Sequence, residues 1–464
     1  MTISIDKRIV GGNFQILPRR TTKLKLATFG DSTGNFGDSQ SPANNDTSVA
    51  TAPMPVSGST GITRNIDKIF LQCSYPILEP VTNACTSGRT VATMVTDEQA
   101  VSTVSTRKVI DAENNSPDII LFRGDSINDF VQASYPITDN AYNLIVSNHK
   151  VVLHRLMNTN AFIISEGIYG YSKGLAGYPA DANGDAVRAA IIRFNNEISA
   201  YVAGLNKPDR IIYLNPIGIN CDSTGAYLAG HSTLADGIHN SIVGGYYRAL
   251  AEQAIIEARF GVSSLYKHQG INVQINPLFS LTTAPGYGTV PTNYSWVNPV
   301  NSTRQNAKVE VIDGYDWATV ELLTTATLAT GVQLTLPYNP LVSGTNPLNV
   351  AANDKYGFEL DFSIKNVTSG LVTHISSLYM RLRTYDVTNA KSVYLDTTCA
   401  FTSDAQASIP GRLKMHLATP PYKFQEAAAA LGTSSQWIVV FLCDATAGDI
   451  IKVGMSNPRI VKLN

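Results

Sequence analysis

Through the first 270 residues, short apolar runs alternate with longer stretches of helical spacing. The runs "KLATF" (25–29), "IFLQCSY" (69–75), "DIILF" (118–122), "AFIISE" (161–166) and "RIIYLNP" (210–216) are each bounded by loop-forming residues and read as buried strands. Between and after them, Val187, Ile191, Phe194, Ile198 and Val202 recur on one helical face, as do Val243, Tyr247, Leu250 and Ala254. Strand and helix in alternation predict a parallel sheet with helices on both faces, and such sheets bind ligands at the carboxyl ends of their strands.

After residue 270 the period changes to two. Tyr356, Phe358, Leu360, Phe362 and Ile364 alternate strictly, and Val332, Leu334 and Leu336 and then Leu413, Met415 and Leu417 repeat the pattern. Turn signals such as "NVTSG" and "ATAGD" separate these runs, and only "QEAAAALG" suggests a helical turn. This half predicts an antiparallel β-sandwich. The junction falls within 259–277, giving an N-terminal arm (1–20), an α/β domain (21–265) and a sandwich (271–464). All three tryptophans lie in the sandwich. Trp437, in "QWIVVFL", is a core residue, whereas Trp296 in "NYSWVNP" and Trp317 in "GYDWATV" are candidates for exposure and for stacking on sugar rings.

Composition narrows the partners. A length of 464 residues exceeds one ordinary core. The formal charge of -1 gives no nucleic-acid or anionic-membrane signature. Only 15% of residues are charged, against about 25% in a typical globular chain; Ser, Thr and Asn take their place. The N-terminus does not read as a secretory leader, and no uninterrupted apolar stretch approaches the ~18 residues of a membrane span. Cys73, Cys85, Cys221, Cys399 and Cys443 are scattered without CxxC spacing, which predicts buried free thiols and neither a disulfide frame nor a metal site. No cofactor is expected.

Chemistry enters at residues 24–36, "LKLATFGDSTGNF", where an apolar run stops on a small-residue turn centred on Ser32. Such residues are ordinary turn formers, so the turn alone decides nothing. A serine nucleophile needs a base, itself oriented by a third group. His239 lies in "LADGIHNSIVGGYY", three residues after Asp236, so one turn carries both groups; the competing reading is that they cap the helix that follows. His149, His154, His231, His268, His374 and His416 have no such local partner and are taken as structural or surface residues. Donors for an oxyanion are offered by Gly88 in "NACTSGRT" (83–90) and by the Asn128 amide in "ILFRGDSINDF" (120–130). The Arg123-Gly124-Asp125 tripeptide in that second stretch reads as a turn after a strand.

The order of these blocks over residues 24–258 resembles the SGNH (GDSL-type) hydrolase family: GDS after the first strand, a glycine loop after the second, Asn-Asp after the third, and DxxH before the last helix. The resemblance implies a flavodoxin-like three-layer α/β fold and a serine esterase. Ser32 is then the nucleophile, His239 the base and Asp236 its orienting partner, with Ser32, Gly88 and Asn128 forming the oxyanion hole. In one position the chain departs from the family pattern: Ser126 stands where the third block carries glycine. There is no GxSxG elbow, which disfavours an α/β-hydrolase. The closing stretch "IKVGMSNPRIVKL" is similar to the last strands of jelly-roll carbohydrate-binding modules. With the missing secretory leader and the uncharged polar composition, the pairing of domains resembles bacteriophage tail spikes that de-O-acetylate surface polysaccharide. That resemblance implies an acetylated bacterial polysaccharide as partner, a homotrimer on a phage tail, and a virion or extracellular location. A secreted carbohydrate esterase, a lipase or thioesterase, and a non-catalytic glycan-binding adhesin remain as alternatives.

Overall fold

Four of the five apolar runs of the first half become strands of a parallel sheet. The structure is a computed structural model that describes residues 5–10, 13–20, 22–31, 71, 75–85, 89–99, 116–123, 127–175, 177–232, 237–240, 242–263, 266, 268, 270–274, 276–336, 350–372, 375–386, 391–399, 409–410, 413–419, 422–424 and 436–463. The chain divides into two compact units at residues 264/265.

In the first unit, β1 (Ile5–Val10) and β2 (Asn13–Arg20) form an antiparallel hairpin. Residues 1–20, expected to form an arm, are instead tied to the same unit, where β2 pairs in parallel with β8 (Val262–Ser263). The main sheet comprises β3 (Leu24–Gly30), β4 (Leu78–Cys85), β5 (Ile119–Arg123), β6 (Phe162–Glu166) and β7 (Ile211–Leu214), all parallel, in the order β4-β3-β5-β6-β7. Strands β5 and β6 are buried at every position, which is why they read as continuous apolar runs.

The second strand lies further along than the sequence pattern placed it. Leu71, inside the run taken for a strand, is helical, and the strand is Leu78–Cys85. Its sequence, "LEPVTNAC", carries Pro80 and mixed polarity because β4 is an edge strand, where a missing backbone N–H is tolerated. An irregularity opposite Leu26 and Ala27 accommodates the proline.

Among the described residues, five helices of five or more residues cover the sheet: α1 (Val91–Gln99), α2 (Ile127–Val131), α3 (Asp139–Met157), α4 (Asp181–Gly204) and α5 (Ile242–Phe260). Alternation along the strands assigns them to two faces. Ile120, Phe122 and Ile163 join the core formed with α1, α2, α3 and α4. Phe162 points the other way and meets Phe260 of α5, ring centroids 5.8 Å apart. Glu166, four residues on, and Arg123, beside Phe122, therefore belong to the α5 face. Helix α3 buries Tyr142, Ile145, Val146, His149, Val152, Leu153 and Leu156 and is capped by Thr138, whose side chain accepts from the Ala141 N–H. His149 is structural, held between the rings of Phe122 and Phe194 at 4.9 and 5.0 Å.

The second unit is an antiparallel β-sandwich. A short pair, β9 (Thr282–Thr283) and β10 (Val290–Pro291), precedes it. The remaining strands are β11 (Ser295–Val300), β12 (Ser302–Ile312), β13 (Tyr315–Thr324), β14 (Leu328–Leu336), β15 (Lys355–Asn366), β16 (Leu371–Val372), β17 (Ile375–Asp386), β18 (Lys391–Cys399), β19 (Ile409–Pro410), β20 (Leu413–Ala418), β21 (Tyr422–Lys423), β22 (Gln436–Ala445) and β23 (Ile450–Leu463). One sheet runs β11-β14-β22-β17-β18 and the other β12-β13-β23-β15-β20, with β21 also on β15. Their inner faces meet through Phe358 against Trp437 and Phe362 against Phe441, centroids 5.4 and 5.6 Å apart. The period-two positions of β14 and β15, and Met415 and Leu417 of β20, fall on this core, as the pattern requires. "QEAAAALG" lies outside the described residues.

The opposite face of β15 carries a buried ionic cluster. Glu359 accepts from Arg459 at 2.5 Å and from the His268 N–H at 3.3 Å. His416 bridges Glu359 (3.1 Å) and Asp361 (2.9 Å). Burial alone would lower the His416 pKa, but its hydrogen bonds to Asp361 and Glu359 outweigh that and push it up to about 9. Burial likewise opposes charge on Glu359, yet the His416 hydrogen bond holds its carboxyl below the ordinary value.

Candidate active site

The rim at the carboxyl ends of β3, β4 and β5 gathers three of the loops singled out by sequence. Gly30 pairs with Cys85 on one side and Arg123 on the other, and its φ of +150° is a conformation open only to glycine. The next residue, Asp31, is fully buried, and its N–H donates to the Arg123 carbonyl at 3.2 Å. Ser32 follows. Ser32, Gly88 and Asp236 lie outside the described residues; their neighbours Asp31, Arg89, Gly237 and His239 lie within them, as does Asn128.

Asn128 and Asp129 tie these loops together. The Asn128 amide donates to the Arg89 carbonyl at 3.0 Å and to Asp31 Oδ2 at 3.3 Å. Asp129 Oδ2 accepts from the Val91 N–H at 2.9 Å, satisfying one of the unpaired donors that open α1. The Arg89 guanidinium packs over the Phe29 ring at 5.1 Å. One Asn-Asp pair thus fixes the residue before Ser32 and the residue after Gly88. Asn128 stands where the sequence reading put an oxyanion donor, with both amide protons engaged.

His239 sits on an over-determined turn. Gly237 has φ +68°, and a Cβ there would lie 2.6 Å from Ser172 Cβ and 2.7 Å from the Ser172 carbonyl oxygen. Only glycine fits, because both the conformation and the space exclude a side chain. The Ser172 N–H donates to the Gly237 carbonyl at 2.9 Å, and the Tyr227 hydroxyl donates to the Ile238 carbonyl at 3.1 Å. Beyond His239, the Asn220 amide donates to Asn240 Oδ1 (3.3 Å) and to the Gly244 carbonyl (2.9 Å), joining the turn to the start of α5. His239 itself is 6% exposed.

A buried ionic network beside this rim was not legible in the sequence pattern. Arg123, read there as part of a turn tripeptide, is the last residue of β5, and its guanidinium reaches Glu166 (3.3 Å) and Glu252 (2.6 Å). Arg248 pairs with Glu166 and Glu252, and its guanidinium lies 3.8 Å over the Tyr169 ring. The only sequence signals were Arg and Glu at i, i+4 on an apolar helix and a charge closing each of two buried strands.

Other candidates fall away on environment. Cys221 and Cys443 are buried free thiols and Cys85 is buried, and burial pushes Cys221 up to about 12, far from a thiolate at neutral pH. His231 is stacked on Tyr247, centroids 5.2 Å apart, and burial lowers its pKa. Among the described residues, no group of three or more His, Cys, Asp or Glu is arranged to hold a metal ion. Trp296 and Trp317, expected to be exposed, are 1% and 0% exposed. Trp296 shares its face with Leu334, its cross-strand partner in the core. Trp317 packs over Gly454, and the Lys414 ammonium covers its ring at 5.4 Å. Neither ring face is open to a sugar.

The structure neighbours are GDSL-like acylhydrolases and lipases. A putative acylhydrolase from Bacteroides fragilis is 16% identical over 52% of this chain and 90% of its own, with a TM-score of 0.30. A GDSL-like lipase from Bacteroides thetaiotaomicron is 14% identical over 50% of this chain and 88% of its own, TM-score 0.30. Carbohydrate-binding modules are also neighbours: a family 11 module of a Clostridium thermocellum cellulase is 10% identical over 42% of this chain and 97% of its own, TM-score 0.22. No family model matches the chain. No curated relative matches it either.

Proposed function

We propose that this chain is an SGNH-type serine esterase that removes O-acetyl groups from a bacterial surface polysaccharide, in the setting of a phage tail spike. One observation carries the reading: Asn128 and Asp129 bind Asp31, Arg89 and Val91, so three separate sequence blocks converge at one strand rim.

In the proposed reaction, His239, oriented by Asp236, takes the Ser32 hydroxyl proton as the oxygen attacks the ester carbonyl. The N–H groups of Ser32 and Gly88 and the Asn128 amide stabilise the oxyanion. For Asn128 this means exchanging its longer bond, the 3.3 Å contact with Asp31, for the oxyanion. The proton then passes from His239 to the departing sugar hydroxyl, and water releases acetate from Ser32 by the same route. The polysaccharide substrate is supported by the β-sandwich joined to the esterase unit and by the uncharged polar composition. Glycosidic cleavage would need a carboxylate pair about 5–9.5 Å apart across the bond, and no sequence motif nominates one.

The test is acetate release from O-acetylated bacterial polysaccharides, compared between the wild type and Ser32→Ala. Acetate should appear only with the wild type, while polymer length followed by size-exclusion chromatography stays constant. Acetate release by Ser32→Ala, or shortening without acetate, overturns the reading.

A further inference from the structure

From its bonds to the residue before Ser32 on one side and to the helix after His239 on the other, we infer that the buried quartet Arg123–Glu166–Arg248–Glu252 is a positioning device that sets the spacing of the Ser32 and His239 turns. The inference rests on the esterase reading of those two residues. None of the four is more than 1% exposed, and the charges sum to zero. Arg123 belongs to the nucleophile side: its carbonyl accepts the Asp31 N–H, one residue before Ser32. Arg248 and Glu252 belong to the base side. They occupy the second and third turns of α5, which begins three residues after His239 and is joined to that turn through Asn220. Glu166 closes β6 between them and accepts from Arg123, Arg248 and the Tyr169 hydroxyl.

Ion pairs are a poor way to gain stability in such a place. Replacing a buried set with apolar residues of similar size is often neutral or stabilising. What the charges add is direction. A planar guanidinium that donates in a fork to two carboxylates tolerates little sliding, and its hydrogen bonds are more directional than an apolar contact between helix and sheet. The quartet therefore holds α5 at one height against the ends of β5 and β6. The height of α5 determines where His239 stands relative to the turn that begins at Asp31.

The test separates position from folding. Wild type, Glu252→Gln, Arg248→Met and Arg248→Lys are assayed on p-nitrophenyl acetate, with kcat expressed per active site titrated to completion by a fluorophosphonate. An apolar variant is added, in which Arg123 and Arg248 become Met, Glu166 and Glu252 become Leu, and Tyr169 becomes Phe. Loss of position should lower kcat per titrated site by ~10- to 100-fold in Glu252→Gln, in Arg248→Met and in the apolar variant. KM should stay within about twofold. Arg248→Lys should recover part of what Arg248→Met loses. A purely structural quartet would reduce the number of titratable sites or the melting temperature but leave kcat per site at the wild-type value, and that result overturns the inference. If a single variant does not fold, the apolar variant still decides: stable and fully active, it removes the quartet from catalysis. Failure of the fluorophosphonate to label Ser32 in the wild type is a separate outcome, which defeats the esterase reading and the quartet's role with it.

Discussion

Gly237→Ala should damage the His239 turn in a way that can be worked from the geometry. Two costs add. The residue has φ +68°, and holding an L-residue in that region costs about 1–2 kcal/mol. The new Cβ would also lie 2.6 Å from Ser172 Cβ, whereas carbon contacts rest near 3.5–4.0 Å, so the turn must retreat by about 1 Å. That retreat breaks or strains the hydrogen bonds from the Ser172 N–H to Gly237 O (2.9 Å) and from Tyr227 to Ile238 O (3.1 Å), each worth about 1 kcal/mol. The expected total is ~3–4 kcal/mol. Gly230→Ala is the matched control, because Gly230 has φ +76° but nothing within 4 Å of a Cβ. It should cost only the ~1–2 kcal/mol of backbone conformation. Thermal unfolding reads the difference, at roughly 2–4 °C per kcal/mol for a unit of this size. Displacement of His239 by about 1 Å should also lower kcat on p-nitrophenyl acetate by ~10²-fold, with no such loss in Gly230→Ala. Equal melting temperatures for the two variants, or full activity in Gly237→Ala, would refute the reasoning.

Two further outcomes concern the sandwich. His416 faces Glu359 and Asp361 directly, with Tyr266, His268 and Arg459 around that cluster. Because its folded pKa is raised to about 9 from 6.5, its contribution is fully present below pH 6.5 and is lost as pH rises through 9. The amount is on the order of 3 kcal/mol. The stability difference between wild type and His416→Gln should therefore shrink between pH 6 and pH 10, and a constant difference would dissolve the ionic account. Trp296→Ala and Trp317→Ala should each cost ~3–5 kcal/mol of stability, as buried large-to-small changes do. If either variant instead kept its melting temperature and lost polysaccharide retention, the ring would have to be reassigned to a ligand surface.

Much of the fold was legible because burial leaves a periodic trace. Strands β5 and β6 are covered on both faces, so they read as unbroken apolar runs, and the sandwich strands alternate because their two faces meet different surroundings. Helix α3 carried the same signal in Tyr142, Ile145, His149, Val152 and Leu156, but polar residues interrupt it and it was not singled out. The edge strand β4 was placed too early, since an edge accepts Pro80 and polar residues and leaves no apolar run to find.

The sequence by itself determined which residue types stand at the ends of the strands: Gly30, Asp31 and Ser32 after the first, Asn128 and Asp129 after the third, and Gly237 and His239 before the last helix. Those are local matters of turn chemistry, and a turn's requirements are written in three or four consecutive residues. The tertiary structure alone decided what those residues hold. Asn128 reaches Arg89 across 39 positions and Asp31 across 97, and Arg123 reaches Glu252 across 129. It also decided that Trp296 and Trp317 are buried, because a tryptophan's exposure depends on which strand is its neighbour and what covers the face beyond. Pairing between distant positions is set by how the layers pack, and no window of sequence contains it.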